Sequence, residues 1–552
     1  MFPSAPKGRP FPLGRIICAG LCLLLLALCF MADALLAEPL RSRAERMMNV
    51  KLKGYTVRIA KVRPHLWRLG LDVLDLEVVQ TAVPDPPVAN IGALELSLVW
   101  RELVHFKLAG NLVVRHPALH INLPQIREEA RSRVRLRDRG WQEALESVYP
   151  VKLDRVKVLD GSLLLLSTRT ARGPLQFTKV YLVATNVRNI AAVQGTFPSP
   201  VTLEGDLFDT GKVRFQGAAD FLRKPAIAAR GEGHLDRIPL DRLAPFASDY
   251  MLRATGGLLS VDGFMEDTPE ARVIHLANVR IEGLRVDYIT SKATQALEQA
   301  HAEQAVKLAK SVRNARKLLL QVDTLSLTHS QLGFVNETTR PPYRLFISDV
   351  SLDMENLSNQ ARLGRSRFHG RGTFMGDGAT VVSGGFQPGV HPMDFDVHLH
   401  LDDARLADLN DCLLAHAGVD VAAGLVSIYA EIAVKDRKMA GYLKPMLKDV
   451  QFSDPGKDRS KPLRKRIEMH LLQFLAEVFK NHSTQEVATV VTLSGSTSQP
   501  KAGEWGAIRK LIGNGLWHAI LPGFQDHLKP RQDLPGHGAP ALLPGPVGAD
   551  DR

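Results

Sequence analysis

The sequence predicts a mainly β chain behind an amino-terminal transmembrane helix, with amphipathic helices and a helical carboxy-terminal region. Three observations predict it. Short segments alternate apolar and polar residues over much of the chain, an unbroken apolar run opens it, and the apolar period becomes helical at Ala293 and again past residue 456. At 552 residues the chain is long enough for more than one core-forming unit, and its apolar content of 45% with 23% charged residues is that of a folded protein.

The apolar run is IICAGLCLLLLALCFM, Ile16 to Met31, continuing to Ala37 with Asp33 as its one charge and with Lys7, Arg9 and Arg15 ahead of it. A run of about 20 residues suits one membrane span, or the core of an export signal that is removed. Ala32-Asp-Ala34 offers a small-residue cleavage site, so residues 1–37 are read as a retained anchor with a signal peptide as the alternative. Arginines flank both sides, so the charge rule does not orient the span. Cys412 is the sole cysteine outside this run, which excludes an intramolecular disulfide in the rest of the chain and permits an oxidising compartment.

From Tyr55 onward RIAKV, LDVLDLEVV, IGALELSLVW and KVYLVATNV read as strands, with a helical interruption expected at 127–148. These belong to a first β-rich region over 38–290. An amphipathic helix follows over 291–320, with Ala293, Leu297, Ala300, Leu308, Val312, Ala315 and Leu319 on one face. Strands return over 321–455. Residues 456–524 read as helical, and the Pro- and Gly-rich 525–552 as disordered.

Four segments share an oddity. In VKVLDGSLLLL, Val156 and Val158 precede Asp160-Gly161, and Leu163 and Leu165 follow with their apolar parity reversed. The same reversal occurs in Val279 and Ile281 with Val286 and Tyr288, in Leu325 and Leu327 with Leu332 and Phe334, and in Leu112 and Val114 with Leu119 and Ile121. A straight strand would put the two halves on opposite faces. A bulge or a two-residue hairpin restores one face. Bulges fit most copies, and Asp160-Gly161 also fits a hairpin. Either way the apolar side chains form one continuous surface.

No nucleophile elbow, Walker loop, zinc-protease helix, Cys-x-x-Cys pair or EF-hand loop is present, and GRGTFMGDG departs from the dinucleotide spacing. No catalytic residue, metal or cofactor is expected. The nearest thing to a metal site is DFDVHLHLDD, where Asp394, Asp396, His398, His400 and Asp402 share a strand face; the plainer reading is a hydrated face over a core of Phe395, Val397, Leu399 and Leu401. The net charge of +12 includes runs at Arg131–Arg139 and Arg464–Arg466, but no aromatic residues interleave them, so nucleic acid is not an expected partner.

PPVANIGALELSLVWRELVHFKLAGNLVVRHPALHINL behind an amino-terminal anchor resembles the start of AsmA-like proteins of the Gram-negative envelope, within them a branch named as a domain of unknown function. LDRVKVLDGSLLLL, GRGTFMGDGATVVSGGFQPGVHPMDFDVHLHLDDARLADLN and GYLKPMLKDVQF are further matches in the same order, as is VATVVTLSGSTSQPKAGEWGAI. The resemblance implies a single-pass inner-membrane protein with its bulk in the periplasm, folded as an elongated, curved β-sheet groove. It implies phospholipid acyl chains in an apolar interior and a part in phospholipid traffic, and it supplies no catalytic residues. The candidate groove wall is then Val156, Val158, Leu163, Leu165, Val279, Ile281, Val286, Tyr288, Leu325, Leu327, Leu332 and Phe334. The alternative is an envelope scaffold or assembly factor whose apolar surface meets protein partners.

Overall fold

A computed structural model of the chain describes residues 35–65, 70–98, 109–122, 124–126, 128, 152–166, 175–187, 197–221, 223, 227–244, 251–291, 311, 314–315, 317–388, 394–418, 420–436, 438–452 and 491–496. These form one large, curved, unclosed sheet of 19 strands. The strands run β1 (Tyr55–His65), β2 (Gly70–Gln80), β3 (Ala89–Leu98), β4 (Ala109–Asn122), β5 (Lys152–Leu166), β6 (Leu175–Thr185), β7 (Ser199–Leu207), β8 (Gly211–Asp220), β9 (Ala228–Pro239) and β10 (Leu252–Asp267). They continue as β11 (Arg272–Thr290), β12 (Leu318–Asn336), β13 (Tyr343–Ser358), β14 (Ser366–Phe374), β15 (Gly378–Phe386), β16 (Phe395–Arg405), β17 (Val421–Lys435), β18 (Lys438–Phe452) and β19 (Val491–Ser496). Spatial order follows chain order. At about 4.8 Å per strand the sheet extends roughly 85 Å along its curve.

Two pairings are parallel, β4 with β5 and β11 with β12. Parallel neighbours need a long return connection. The readings at 127–148 and 291–317 that would supply it lie almost wholly outside the described residues, as does most of the apolar run at 16–37. Among the described residues no helix is long and apolar enough to cross a membrane. Leu318 and Leu319, the last turn of the expected helix at 291–320, belong instead to β12, because each finds a register partner in β11. The region 456–524, read as helical, contributes β19, whose VTLSGS pairs with β18.

The parity reversals are bends inside single strands in all four copies; the register shifts beside Asp160 and His329, as at a bulge, and is kept through His116 and Gly283. Asp160 (φ 53°), His116 (φ 49°), Gly283 (φ 69°) and His329 (φ 48°) sit in the left-handed region inside uninterrupted strands, so Asp160-Gly161 is no hairpin. One residue with positive φ swings the chain so that the apolar parity change keeps one face. Asp and His tolerate that conformation better than most side chains. The bends line up across the sheet. Asp75 lies opposite Gly92, Gly92 opposite His116, and His116 beside Asp160; farther on, Gly283 lies beside His329. Asp349, Asp403 and Asp449 carry the seam onward through β13, β16 and β18. The N–H groups near the seam find serine hydroxyls: Arg237 N–H donates to Ser260 Oγ at 3.1 Å and Asp403 N–H to Ser427 Oγ at 3.0 Å.

That correspondence exposes an internal duplication. Strands β5–β11 repeat as β12–β18, and β2–β4 match the last three of each set. GDLFDTGKVRFQG (205–217) aligns in order with GTFMGDGATVVSG (372–384), with glycines at 205, 211 and 217 matching 372, 378 and 384. HLDRIPLDRL (234–243) matches HLDDARLADL (400–409), each ending in a 3₁₀ turn, Leu240–Leu243 and Leu406–Leu409. The left-handed residues coincide as well: Lys179 with Asp349, Asn186 with Asn356, Phe208 with Met375.

A helix over 35–51, here α1, precedes β1. Its Ala44 and Met48, with Leu52 just beyond, bury against Val57, Ile59, Val62, Val73 and Leu76. Its polar side chains also cap the sheet edge. Asn49 Nδ2 donates to the Val57 carbonyl at 2.9 Å and Asn49 Oδ1 accepts from Val57 N–H at 2.7 Å. Arg41 donates to the Ile59 carbonyl at 3.2 Å and Glu45 accepts from Ile59 N–H at 3.3 Å. An exposed edge strand invites pairing with another chain, and these side chains occupy its donors and acceptors.

Candidate functional site

One face of the sheet is apolar from strand to strand. Leu96, Leu112, Val156, Ala184 and Val201 are successive register partners across β3–β7. Leu259, Ile281, Leu327, Leu352, Gly370, Val382, Leu399 and Ala430 do the same across β10–β17. Directly opposed side chains share a face and touch. The parallel β11–β12 junction sets eight of the expected wall residues side by side: Val279 beside Leu325, Ile281 beside Leu327, Val286 beside Leu332, Tyr288 beside Phe334. The Tyr288 and Phe334 rings stack with centroids 6.2 Å apart.

These residues are not a uniform wall. Val156, Val158, Leu163, Leu165, Val279, Ile281, Val286, Tyr288, Leu325 and Phe334 are half-buried. Leu327 is buried at 7% exposure, because Leu352 and Ile281 flank it on both sides, while Leu332 is 38% exposed. Leu165 packs against a small buried cluster of Leu175, Phe208 and Ile238, and Phe334 against a larger one in β13–β17. The sequence list omitted Leu112, Val114, Leu119 and Ile121, which β4 places beside Val156, Val158, Leu163 and Leu165. Their parity reversal was the signal. Leu119 is 45% exposed.

The larger cluster is closed by the Leu406–Leu409 turn and the helix α2 (Asn410–Ala417), which bury Leu406, Leu409, Cys412 and Leu413 on Phe374, Leu401, Val426 and Ile428. Gly418 ends α2 in the left-handed conformation, donating to Leu414 O. Within the cluster Tyr343 Oη lies 2.9 Å from His416 Nε2 and accepts from Asn336 Nδ2 at 3.1 Å. Burial pushes the Tyr343 hydroxyl and the Cys412 thiol far up, so both stay neutral, and it lowers the His416 imidazole from its ordinary 6.5. A histidine held neutral by the fold is protonated first in the unfolded chain. Stability is therefore complete above pH about 6.5 and declines as pH falls through that value toward the folded pKa. We expect amide exchange in α2 and β13 to accelerate in mild acid, and His416→Gln to flatten that dependence.

The other face is hydrated and charged. Asp206 accepts from Lys212 at 2.6 Å and Lys179 at 3.0 Å, bonds that hold its carboxyl below the ordinary value. Histidines pair with carboxylates on neighbouring strands: His65 with Asp72 at 2.8 Å, His234 with Asp262 at 2.9 Å, His275 with Asp323 at 2.8 Å.

The DFDVHLHLDD strand lies on that face. Asp396 is engaged by Arg365, and His398 stands 3.8 Å from Asp396 and 3.7 Å from Glu431. His400 meets Asp402 at 3.0 Å, whose Oδ1 also accepts from the Tyr429 hydroxyl at 2.9 Å. Asp394 accepts from the Asp436 N–H at 3.0 Å. Among the described residues no group of three or more His, Cys, Asp or Glu side chains is placed to hold a metal ion.

The arrangement presents a long, half-covered apolar surface with a charged back. No family model matches the chain, and no curated protein matches it.

Proposed function

We infer that the chain is a non-enzymatic, inner-membrane-anchored periplasmic protein of the AsmA-like kind, whose apolar sheet face handles or transfers phospholipid in maintenance of the envelope. The carrying observation is the apolar face itself: its side chains oppose one another strand after strand, yet between the helix-covered clusters they remain half-buried, with Leu119 and Leu332 at 45% and 38% exposure. A sealed core would hold them under cover. Each acyl methylene buried there contributes about 0.8 kcal/mol, so part of one chain gives useful affinity without a polar motif. On the reading of 1–37 as an anchor, β1 is the strand nearest the membrane.

The test is native mass spectrometry with lipid extraction on protein lacking residues 1–34. We expect phospholipid in a fixed ratio, lost on Leu119→Asp or Leu332→Asp while circular dichroism stays unchanged, since both positions are already solvent-facing. Lipid-free, folded wild-type protein would favour the scaffold alternative.

A further inference from the structure

Three arginines follow the apolar run, at 41, 43 and 46, and α1 gives them different tasks. The helix takes up the last residues of that run, 35–37, and continues to Lys51. At about 100° per residue its positions fall into three arcs. Ala44 and Met48 face the β1–β2 core. Beside them, Arg41, Glu45 and Asn49 form the arc that caps Val57 and Ile59. Arg41 directs its charge within that arc, onto Glu38 at 2.6 Å and Glu45 at 3.0 Å.

The third arc lies opposite. Leu36, Pro39, Arg43, Arg46 and Val50 recur at alternating spacings of three and four, which is one helix face. Leu36 is 42% exposed and Val50 77%, and both arginines are exposed. Among the described residues neither Arg43 nor Arg46 forms an ion pair. No acidic residue shares their arc, because Glu38 and Glu45 belong to the capping one. The stripe is cationic in the middle and apolar at both ends, about 21 Å from Leu36 to Val50. A basic helix face is ordinarily just hydrated, but two features set this one apart. It opens directly from the apolar run, so on the anchor reading its arginines stand close to the lipid head groups. It also carries apolar side chains in line with the arginines, the pattern of a helix lying in a membrane interface. Pro39 has no N–H to give the Leu35 carbonyl, so the helix is free to turn where it leaves the run.

We propose that the Leu36–Val50 stripe of α1 lies on an anionic phospholipid surface, with Arg43 and Arg46 on phosphate groups and Leu36 and Val50 among the upper acyl carbons. The helix runs antiparallel to β1, with Asn49 at Val57 and Glu45 at Ile59, so a flat helix lays the strand flat as well. The sheet is then held off the membrane by about 10–12 Å, one helix diameter. This rests on the anchor part of the reading above and not on the apolar sheet face.

Full-length protein carrying benzoylphenylalanine in place of Val50 is reconstituted in vesicles of phosphatidylcholine, alone or with phosphatidylglycerol. After illumination, lipid adducts are read by peptide mass spectrometry. Adducts at residue 50 are expected with phosphatidylglycerol and several-fold fewer without it. Arg43→Gln/Arg46→Gln is expected to lower them several-fold, and Arg43→Lys/Arg46→Lys to keep them, since the surface responds to charge. Unchanged amide exchange in β1–β2 shows that the glutamine variant keeps its fold. The probe placed instead at Val381, 42% exposed on β15, is expected to take none. Equal adducts at Val381 would overturn specific docking of α1. Adducts at residue 50 that ignore both phosphatidylglycerol and the arginines would overturn the head-group contact. No adduct at residue 50 in membrane-embedded protein would overturn the flat helix. A chain recovered from cells already shortened before residue 35 would overturn the anchor reading, and the proposal with it. The sheet-face reading survives each of these outcomes, because lipid extraction decides it separately.

Discussion

Alanine at Gly217 or Gly384 is expected to destabilise the sheet by about 2 kcal/mol, although replacing a strand glycine by alanine ordinarily helps. The usual gain comes from restricting the unfolded chain. Here the folded state has no room. A Cβ on Gly217 would run into the Arg230 carbonyl oxygen and lie 2.7 Å from the Gly231 Cα. At the equivalent Gly384 it would run into the Asp396 carbonyl oxygen and lie 2.9 Å from the Phe368 ring. Both obstacles include backbone of the neighbouring strand, which cannot turn aside as a flexible side chain can. Hydrogen exchange should therefore quicken in β8–β9 for one variant and β15–β16 for the other. Gly233 supplies the internal control: nothing lies within 4 Å of its added Cβ, so Gly233→Ala should be neutral or stabilising by about 0.5 kcal/mol. If all three variants behave alike, the close approach at β8–β9 and β15–β16 is not what those glycines serve.

Leu409→Ala should cost about 3 kcal/mol and Leu243→Ala under about 1 kcal/mol, despite their equivalent positions. Leu409 is 5% exposed among Leu401, Val426 and Ile428, and its truncation leaves a cavity that the sheet cannot collapse to fill. Leu243 is 37% exposed, so much of its transfer energy is already forgone. Because the long sheet need not unfold in one step, the loss should be read locally, as faster exchange in β13–β17 for Leu409→Ala and little change in β7–β10 for Leu243→Ala. Equal costs would mean that Leu243 is as tightly packed as Leu409.

Most strands were legible because period-two alternation is local: Val156 and Val158, or Leu325 and Leu327, declare an apolar face without reference to anything distant. The reversal of parity was legible too, as a demand that the chain bend. The choice between hairpin and bulge at Asp160-Gly161 was not, since an Asp-Gly pair suits either. Val180 on β6 and Pro117 on β4 pack around Gly161 and fix it inside one strand. The helix α1 was missed because Pro39 and the run Arg41–Arg46 obscure its period, and its stability comes from Val57, Ile59 and Leu76. The duplication was overlooked because His234-Leu-Asp and His400-Leu-Asp are short, and the intervening residues diverge wherever the hydrated face accepts any polar side chain.

By itself the sequence determined a β-rich chain with one apolar face and with breaks of apolar parity at Asp160-Gly161, Gly283 and His329-Ser330, since each follows from alternation alone. Only the tertiary structure decided that β4 lies parallel to β5 and β11 to β12, that Leu327 is sealed while Leu332 is open, and that Leu409 is covered while Leu243 is not. The reason is physical: facing is set by neighbours along the chain, whereas burial is set by which distant helix comes to rest on the sheet.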